Sequence, residues 1–335
     1  MSFKEKTILV TGATGLIGYN LVCRLLNEGA KKVYATGRSI NKLRTTFEEY
    51  QSDVLELIEH DAAAALPNSL HDIDFIFHAA GPMERDIVQN RPVDVILPNL
   101  IGLINCFEYL REQEILTGRK GRIIVFSSVT VYNNPTEDDY VATEDVTNYA
   151  SSLDLAASCY SESKRMCEVI AKSYSKQYGI DAVIARFSTV YGYTINIPNT
   201  AFFEFINKAL NGQDIVLNGI GMPRRDNIYV DDAIEGLLLI ANKGISGESY
   251  NISSNGDKDN FAAVDEIAEQ IAQEAATIQH KPAVKVIKPV STDKRKPGLK
   301  LSNKKLKELG WEVKTQSKQG IASVIRLKLS NTIMQ

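Results

Sequence analysis

The stretch TGATGLIG at 11–18 follows the apolar run TILV and opens a segment in which Ile17, Leu21 and Leu25 recur every four residues. A short apolar run, a glycine-rich turn and a helical apolar stripe read as a strand–turn–helix unit. Glycines at 12, 15 and 18 serve three physical needs there: a tight turn, close approach of backbone to a pyrophosphate, and close packing of helix on strand. The helix start adds unpaired N–H groups and the positive end of a dipole, which suit phosphate. With these flanks, the turn predicts a dinucleotide cradle built from Gly12, Thr14, Gly15, Leu16, Ile17 and Gly18.

Downstream, KVYAT (32–36), DVLELIEHD (53–61), IDFIFHAAG (73–81), GRIIVFSS (121–128) and IDAVIARFS (180–188) read as strands. Helical periodicity covers 98–113 and roughly 159–178. Strands alternating with helices imply a parallel sheet covered on both faces, which explains why the strands are apolar throughout. Past about residue 190 the pattern changes. Helices near 200–210, 231–242, 261–275 and 302–309 alternate with short strands, across polar connections such as NGIGMPRRDN (218–227) and SSNGDKDN (253–260). The expected architecture is α/β: a doubly wound parallel sheet over 1–190 that binds a dinucleotide, and a smaller C-terminal α/β lobe over 191–330 that binds substrate, with the chain crossing between them. No flexible linker and no repeat of 20–50 residues is visible.

The chain has 335 residues, 44% apolar and 24% charged, an ordinary globular balance. A net charge of −3 offers no general affinity for nucleic acid or an anionic membrane. The opening MSFKEKTILVTG lacks the features of a secretory signal, and no apolar run suggests a membrane span, so a cytoplasmic location is expected. Cys23, Cys106, Cys159 and Cys167 show no CxxC spacing and read as small buried hydrophobes of a reducing compartment. His60, His71, His78 and His280 form no close ligand pair, so no metal site is expected.

Two further places carry chemistry. The second strand ends ATGRS, with Gly37 and Arg38 where an acidic residue would hold the ribose 2′-OH of NAD. An arginine there suits a 2′-phosphate and favours NADP over NAD, unless Arg38 is a solvated loop residue or stacks on adenine. At the end of a later strand, VFSSVTVY (125–132) supplies Ser127, Ser128 and Thr130 to the crevice edge of the sheet. Tyr160 and Lys164, in SCYSESKRM (158–166), are four apart and share a helix face. A free phenol has a pKa of about 10. A neighbouring ammonium and a cationic nicotinamide both favour the phenolate and make a tyrosine a usable general base. Ser128 is positioned to hold the reacting oxygen.

These motifs resemble the extended short-chain dehydrogenase/reductase superfamily, in particular its nucleotide-sugar epimerase/dehydratase branch. The resemblance covers about 7–325 and rests on TGATGLIG, HDAAAAL, FHAAG, FSSVTVY, YSESK, ARFSTVYG, RRDNIYVDDA, YNISS and LKELGW. It implies a Rossmann-type fold and assigns roles by position. Asp61 would contact adenine, Ala79, Ala80 and Gly81 would line the dinucleotide, and Asn99 would order the site near the nicotinamide ribose. Ser128, Tyr160 and Lys164 would be catalytic, the last two also binding cofactor. Thr130 and Thr189 would line the sugar site. Arg225 would bind the substrate diphosphate, unless it is a surface arginine paired with Asp226. Arg186 is expected to serve structure.

Dehydratases and decarboxylases of the family carry acidic residues just after the catalytic serine or threonine; here Val129 and Thr130 stand there, which argues against 4,6-dehydration. SVTVY is instead similar to the pattern of hexose 4-epimerases and 4-keto reductases. Thr189 replaces an asparagine common in the family. The acidic segment 133–157 either shapes the sugar pocket or is a solvated loop. The expected activity is hydride transfer at C4 of a nucleoside-diphosphate sugar: 4-epimerisation, or NADPH-dependent reduction of a 4-keto sugar as the alternative. A non-catalytic dinucleotide sensor is the reading from another class, and such members tend to lose the tyrosine or lysine retained here. Helices 98–113 and 159–178 resemble the pair that forms an intersubunit four-helix bundle, implying a homodimer. Their apolar residues (Leu100, Leu103, Ile104, Phe107, Met166 and Ile170) would equally suit a core.

Overall fold

The computed structural model describes residues 3–50, 52–132, 140–146, 152–153, 157–217, 219, 223–289 and 295–333. In chain order the first elements are β1 (Thr7–Thr11), α1 (Leu16–Asn27), β2 (Lys32–Gly37), α2 (Ile40–Thr46), β3 (Leu55–Glu59), β4 (Phe75–His78), α3 (Arg85–Asn90), α4 (Val93–Thr117) and β5 (Arg122–Ser128). Next come β6 (Val141–Ala142), α5 (Ser158–Tyr178), β7 (Asp181–Phe187), β8 (Thr189–Tyr191), α6 (Ala201–Leu210), β9 (Ile215–Val216), β10 (Arg225–Tyr229), α7 (Val230–Lys243) and β11 (Ser249–Ile252). The last are β12 (Phe261–Ala262), α8 (Val264–Gln279), β13 (Val286–Ile287), β14 (Lys300–Leu301), α9 (Lys304–Glu308) and α10 (Ser317–Ile333).

The main sheet has seven strands in the order β11-β7-β5-β4-β1-β2-β3, every pair parallel. From β1 the chain runs through β2 to β3 on one side, and from β4 through β5 and β7 to β11 on the other. The order therefore switches between β1 and β4, and the crevice beyond the C-terminal ends of those strands is the ligand position of such a sheet. Both faces are covered. Ile8 and Val10 of β1 enter one core cluster and Leu9, between them, enters the other. A strand buried on both faces has no use for alternating polarity, which accounts for its continuous apolar run. The far edge strand, β11, comes from the C-terminal part of the chain and pairs with β7 (Asn251 opposite Arg186). A three-stranded sheet, β12-β10-β8, lies beyond, with β10 parallel to β8 and Asn227 opposite Thr189.

Among the described residues, the α-helices α2, α3 and α10 escape the periodicity reading. The first two are a turn or two long, and α10 has only a weak apolar stripe, so none advertises a face. Periodicity also starts α4 at Pro98, whereas the helix begins at Val93 and runs through that proline. Pro98 removes one backbone donor, and next to it Asn99 Nδ2 donates to the Val95 carbonyl at 2.7 Å. By length and composition α4 is apolar enough to cross a membrane, a property the expectation above did not register. It packs instead against β4, β5 and α5, with Leu103, Cys106 and Phe107 buried. Gly102 allows the close approach: a Cβ there would stand 2.9 Å from the Ala62 carbonyl oxygen and 3.0 Å from His78 Cε1. The four cysteines are free thiols, on α1, α4 and α5.

Candidate active site

The glycine turn sits at the switch point. Gly12 has φ +64°, the left-handed region, and a Cβ on it would meet Ala79 and the Ala80 nitrogen at 2.8 Å. A Cβ on Gly18 would meet the Gly12 carbonyl oxygen at 2.4 Å, so α1 lies directly on the turn. Gly15 is the N-cap of α1, without a side-chain cap, and no acidic residue occupies the first turn. The opening amides of α1, from Leu16, Ile17 and Gly18, and the positive end of its dipole thus meet no acidic side chain from the helix's own first turn, which fits a pyrophosphate. Thr14 borders the turn, its carbonyl accepting from Asn196 Nδ2 at 3.3 Å.

The outer end of the crevice lies at β2 and β3. Gly37 closes β2 opposite Glu59 of β3, and Arg38 follows it, exposed. Asp61, also exposed, follows β3 and accepts from the Ala63 amide at 3.0 Å. The two residues assigned to the adenosine half therefore border the same end of the sheet.

The inner end is tighter. Ala79, Ala80 and Gly81 leave β4 alongside Gly12. A Cβ on Gly81 would lie 2.6 Å from Asn99 Oδ1 and 3.2 Å from Lys164 Nζ, so glycine, asparagine and ammonium meet at one point. Asn99 is fully buried, and its Oδ1 has no hydrogen-bond partner among the described residues. A buried acceptor left open marks a place where a ligand or water group can bond. Lys164 is buried and donates to the Phe126 carbonyl of β5 at 2.8 Å. Its Nζ lies 5.7 Å from the centre of the half-buried Tyr160 ring, one helical turn back along α5. Two residues after Phe126 comes Ser128, whose buried hydroxyl accepts from the Thr130 amide at 3.2 Å. Thr130 keeps a buried hydroxyl without a partner among the described residues.

Phe187 at the end of β7 is in register with Ser128, and Thr189 lies two residues on, at the start of β8. Arg225 opens β10 and is exposed. Its neighbour Asp226 does not pair with it. Asp226 is buried and accepts from the Ser254 amide at 3.0 Å and the Leu301 amide at 3.1 Å. Alternation along the strand sends the two side chains to opposite faces, which removes the ion-pair reading of Arg225. Most of the acidic segment 133–157 lies outside the described residues; within it, Glu144 accepts from the Asn251 amide at 2.8 Å.

His78 and Thr11 were not singled out from the sequence. The Pro98 carbonyl can only accept, so His78 Nε2 donates to it at 3.0 Å, Nδ1 of the neutral ring accepts from the Thr11 hydroxyl at 3.0 Å, and Thr11 Oγ1 accepts from the Ala80 amide at 3.2 Å. Burial, then the nearby Lys164 charge, pushes the His78 pKa down to about 3, so the ring is neutral. It ties β1, the Ala79–Gly81 segment and the turn of α4 that carries Asn99. The one signal available was the histidine in FHAAG, and nothing local says that it is buried.

Comparison with known proteins bears on the same stretch. The model of the NAD dependent epimerase/dehydratase family matches residues 8–253. UDP-glucuronic acid decarboxylase 6 of Arabidopsis thaliana is 30% identical over 319 residues, covering 94% of this chain and 86% of that protein. Two solved structures share the fold: the Bordetella bronchiseptica enzyme WbmF in complex with NAD+ and UDP, at 24% identity, TM-score 0.75 and coverage of 99% of this chain and 94% of that one; and the UDP-glucose 4-epimerase of Thermotoga maritima with UDP-glucose, at 22% identity, TM-score 0.75 and coverage of 97% and 99%. Since the family model reaches from the first strand to the edge of the sheet at β11, this chain belongs to the NAD-dependent epimerase/dehydratase family of extended short-chain dehydrogenases/reductases.

Proposed function

We propose that the protein oxidises a nucleoside-diphosphate sugar at C4 and returns the hydride to the opposite face, acting as a nucleoside-diphosphate-hexose 4-epimerase. A nicotinamide dinucleotide, when held at the glycine turn, would supply the hydride acceptor and donor. Tyr160 takes the proton of the C4 hydroxyl and gives it back. Lys164, held beside Asn99 and the Phe126 carbonyl, sets an ammonium near the phenol and would lie near the ribose of a bound dinucleotide. Ser128 bonds the C4 oxygen, and Arg225 offers the substrate diphosphate a planar fork of donors. A nucleotide-sugar substrate is supported by relatives named for UDP-glucuronic acid and by a structural neighbour solved with UDP-glucose.

The observation that carries epimerisation is the lack of a carboxylate at the two positions that follow Ser128. Val129 offers an apolar side chain and Thr130 a hydroxyl without a partner among the described residues, and neither is a carboxylate. Elimination of water needs a further acid and base beside C5 and C6, whereas reversal of a C4 hydride needs no proton transfer beyond that of Tyr160. The relatives named as decarboxylases make UDP-glucuronate a necessary comparison substrate. Incubation of the purified protein with UDP-, dTDP-, GDP- and CDP-hexoses and with UDP-glucuronate, without added cofactor, tests the reading. Interconversion of C4 epimers is expected; carbon dioxide release from UDP-glucuronate with no epimer formed would refute it.

Arg38 supports a second reading, NADPH-dependent reduction of a 4-keto sugar, because no carboxylate stands at the end of β2 to hold a ribose 2′-OH. The cofactor that copurifies separates the two: tightly held NAD belongs to the epimerase, NADPH consumption with a 4-keto sugar to the reductase. A homodimer is proposed with either activity, joined through the exposed apolar residues Val93, Leu97 and Ile101 of α4 and Met166 and Val169 of α5.

A further inference from the structure

A buried ionic network lies under the candidate site. Glu168 Oε1 accepts from Ser127 Oγ at 2.6 Å and from Arg186 Nε at 2.8 Å, and Glu168 Oε2 accepts from Arg186 Nη2 at 2.7 Å. Arg186 Nη1 donates to the Tyr132 hydroxyl at 2.8 Å and to the Glu144 carbonyl at 2.9 Å. The Tyr132 hydroxyl donates onward to Asn251 Oδ1 at 2.7 Å. Ser127, Arg186 and Asn251 are register partners across β5, β7 and β11, so the guanidinium occupies the middle of a three-strand row. Ser127, Tyr132, Glu168, Arg186 and Asn251 are all buried.

Two features separate this network from ordinary core filling. First, Tyr160, Lys164 and Glu168 recur at four-residue intervals along one face of α5. Lys164 is fastened to the carbonyl of Phe126 and Glu168 to the hydroxyl of Ser127, so α5 is bolted to β5 at two successive residues just before Ser128. Second, Tyr132 lies just beyond the Val129–Val131 turn that follows Ser128. One guanidinium thus holds the segment Ser128–Val131 from both ends, through Glu168 and Ser127 on one side and Tyr132 on the other. Stability alone does not call for such a pair: isolating two charges from water costs about as much as their attraction returns, and apolar residues of similar volume hold a core as well or better.

We propose that Arg186 and Glu168 are positioning residues that set the separation of Ser128 from the Tyr160–Lys164 pair. This rests on the reading of those three residues as the acid–base group. An error of about 1 Å in such a separation costs on the order of a hundredfold in rate.

The test is the apolar pair Glu168→Leu/Arg186→Leu, compared with the parent for melting temperature, cofactor affinity, kcat, KM and amide exchange of residues 126–132. The expected result is a melting temperature at or above the parent's and an unchanged cofactor affinity and KM. With these go a kcat lower by about a hundredfold and exchange over 126–132 faster by about tenfold. Parental kcat and exchange overturn the proposal, and so does a loss of kcat matched by equal losses of folded protein and cofactor binding. If the pair variant does not fold, Ser127→Ala and Tyr132→Phe each remove one fastening. Each is expected to lower kcat at constant KM, and parental kcat in both overturns the proposal. If the parent turns over no nucleotide sugar, the functional reading fails by itself, and the exchange comparison alone decides the clamp.

Discussion

Tyr160 and Lys164 owe their partnership to spacing on one helix, and spacing is visible in a sequence. Replacing Tyr160 by Phe removes the hydroxyl and keeps the ring, so turnover is expected to fall by about a thousandfold while cofactor binding, read by calorimetry, stays near the parent's. Retained turnover would remove Tyr160 as the acid–base group, and a parent and variant alike without activity in every assay would favour the dinucleotide sensor. His78 is the opposite case. Its role depends on burial and on the charge of Lys164, neither of which four neighbouring residues reveal. A histidine whose folded pKa is about 3, against 6.5 unfolded, binds fewer protons in the native state. Its contribution to stability is complete above the unfolded value and is lost as pH falls below about 6.5, at about 1.4 kcal/mol per pH unit. His60, also shifted down by burial, adds to the same slope in the parent. Comparison with His78→Gln isolates the first histidine: the parent's advantage in urea unfolding is expected to shrink by about 2 kcal/mol between pH 7 and pH 5. A difference independent of pH would mean that His78 is not held neutral.

Helices α4 and α5 divide their apolar residues between two tasks. Leu103 and Phe107 are buried against the sheet and belong to the core, while Leu100, Ile104 and Ile170 are half-buried. The outward apolar residues include Val93 at 57% exposure, Leu97 at 41% and Ile101 at 40% on α4, with Met166 at 47% and Val169 at 55% on α5. Val93, Leu97 and Ile101 recur every four residues and form a stripe that the monomer leaves uncovered. Exposed apolar stripes of this kind mark contact surfaces. Leu97→Asp combined with Ile101→Asp is expected to give a species of half the parent mass by light scattering at micromolar concentration. A parent already monomeric at that concentration would remove the dimer. Periodicity located both helices but not the split of their faces, because a 25-residue helix that is apolar nearly all round has no single direction to read.

Taken whole, the molecule is tied together by parts distant in sequence. One apolar cluster runs from Phe3 through Ile228 and Leu237 to Trp311 and Ile325. Trp311, the single tryptophan, is buried and donates from Nε1 to the Asp232 carbonyl at 3.0 Å. With a shared core, denaturant unfolding followed by Trp311 fluorescence and by far-ultraviolet circular dichroism is expected to give coincident curves. Two separated midpoints would show lobes that melt apart.

The strand–helix alternation, the glycine turn and the placing of Tyr160 and Lys164 one turn apart on α5 were legible because each is a local pattern: an apolar period, a residue without a side chain, a four-residue interval. Packing alone decided that β11 returns to edge the main sheet, that Asp226 turns inward away from Arg225, that His78 is neutral behind Lys164, and that Arg186 spans three strands beneath Ser128. Those outcomes depend on which distant residues exclude water from one another, and exclusion of water is a property of the assembled core, not of any short run of chain.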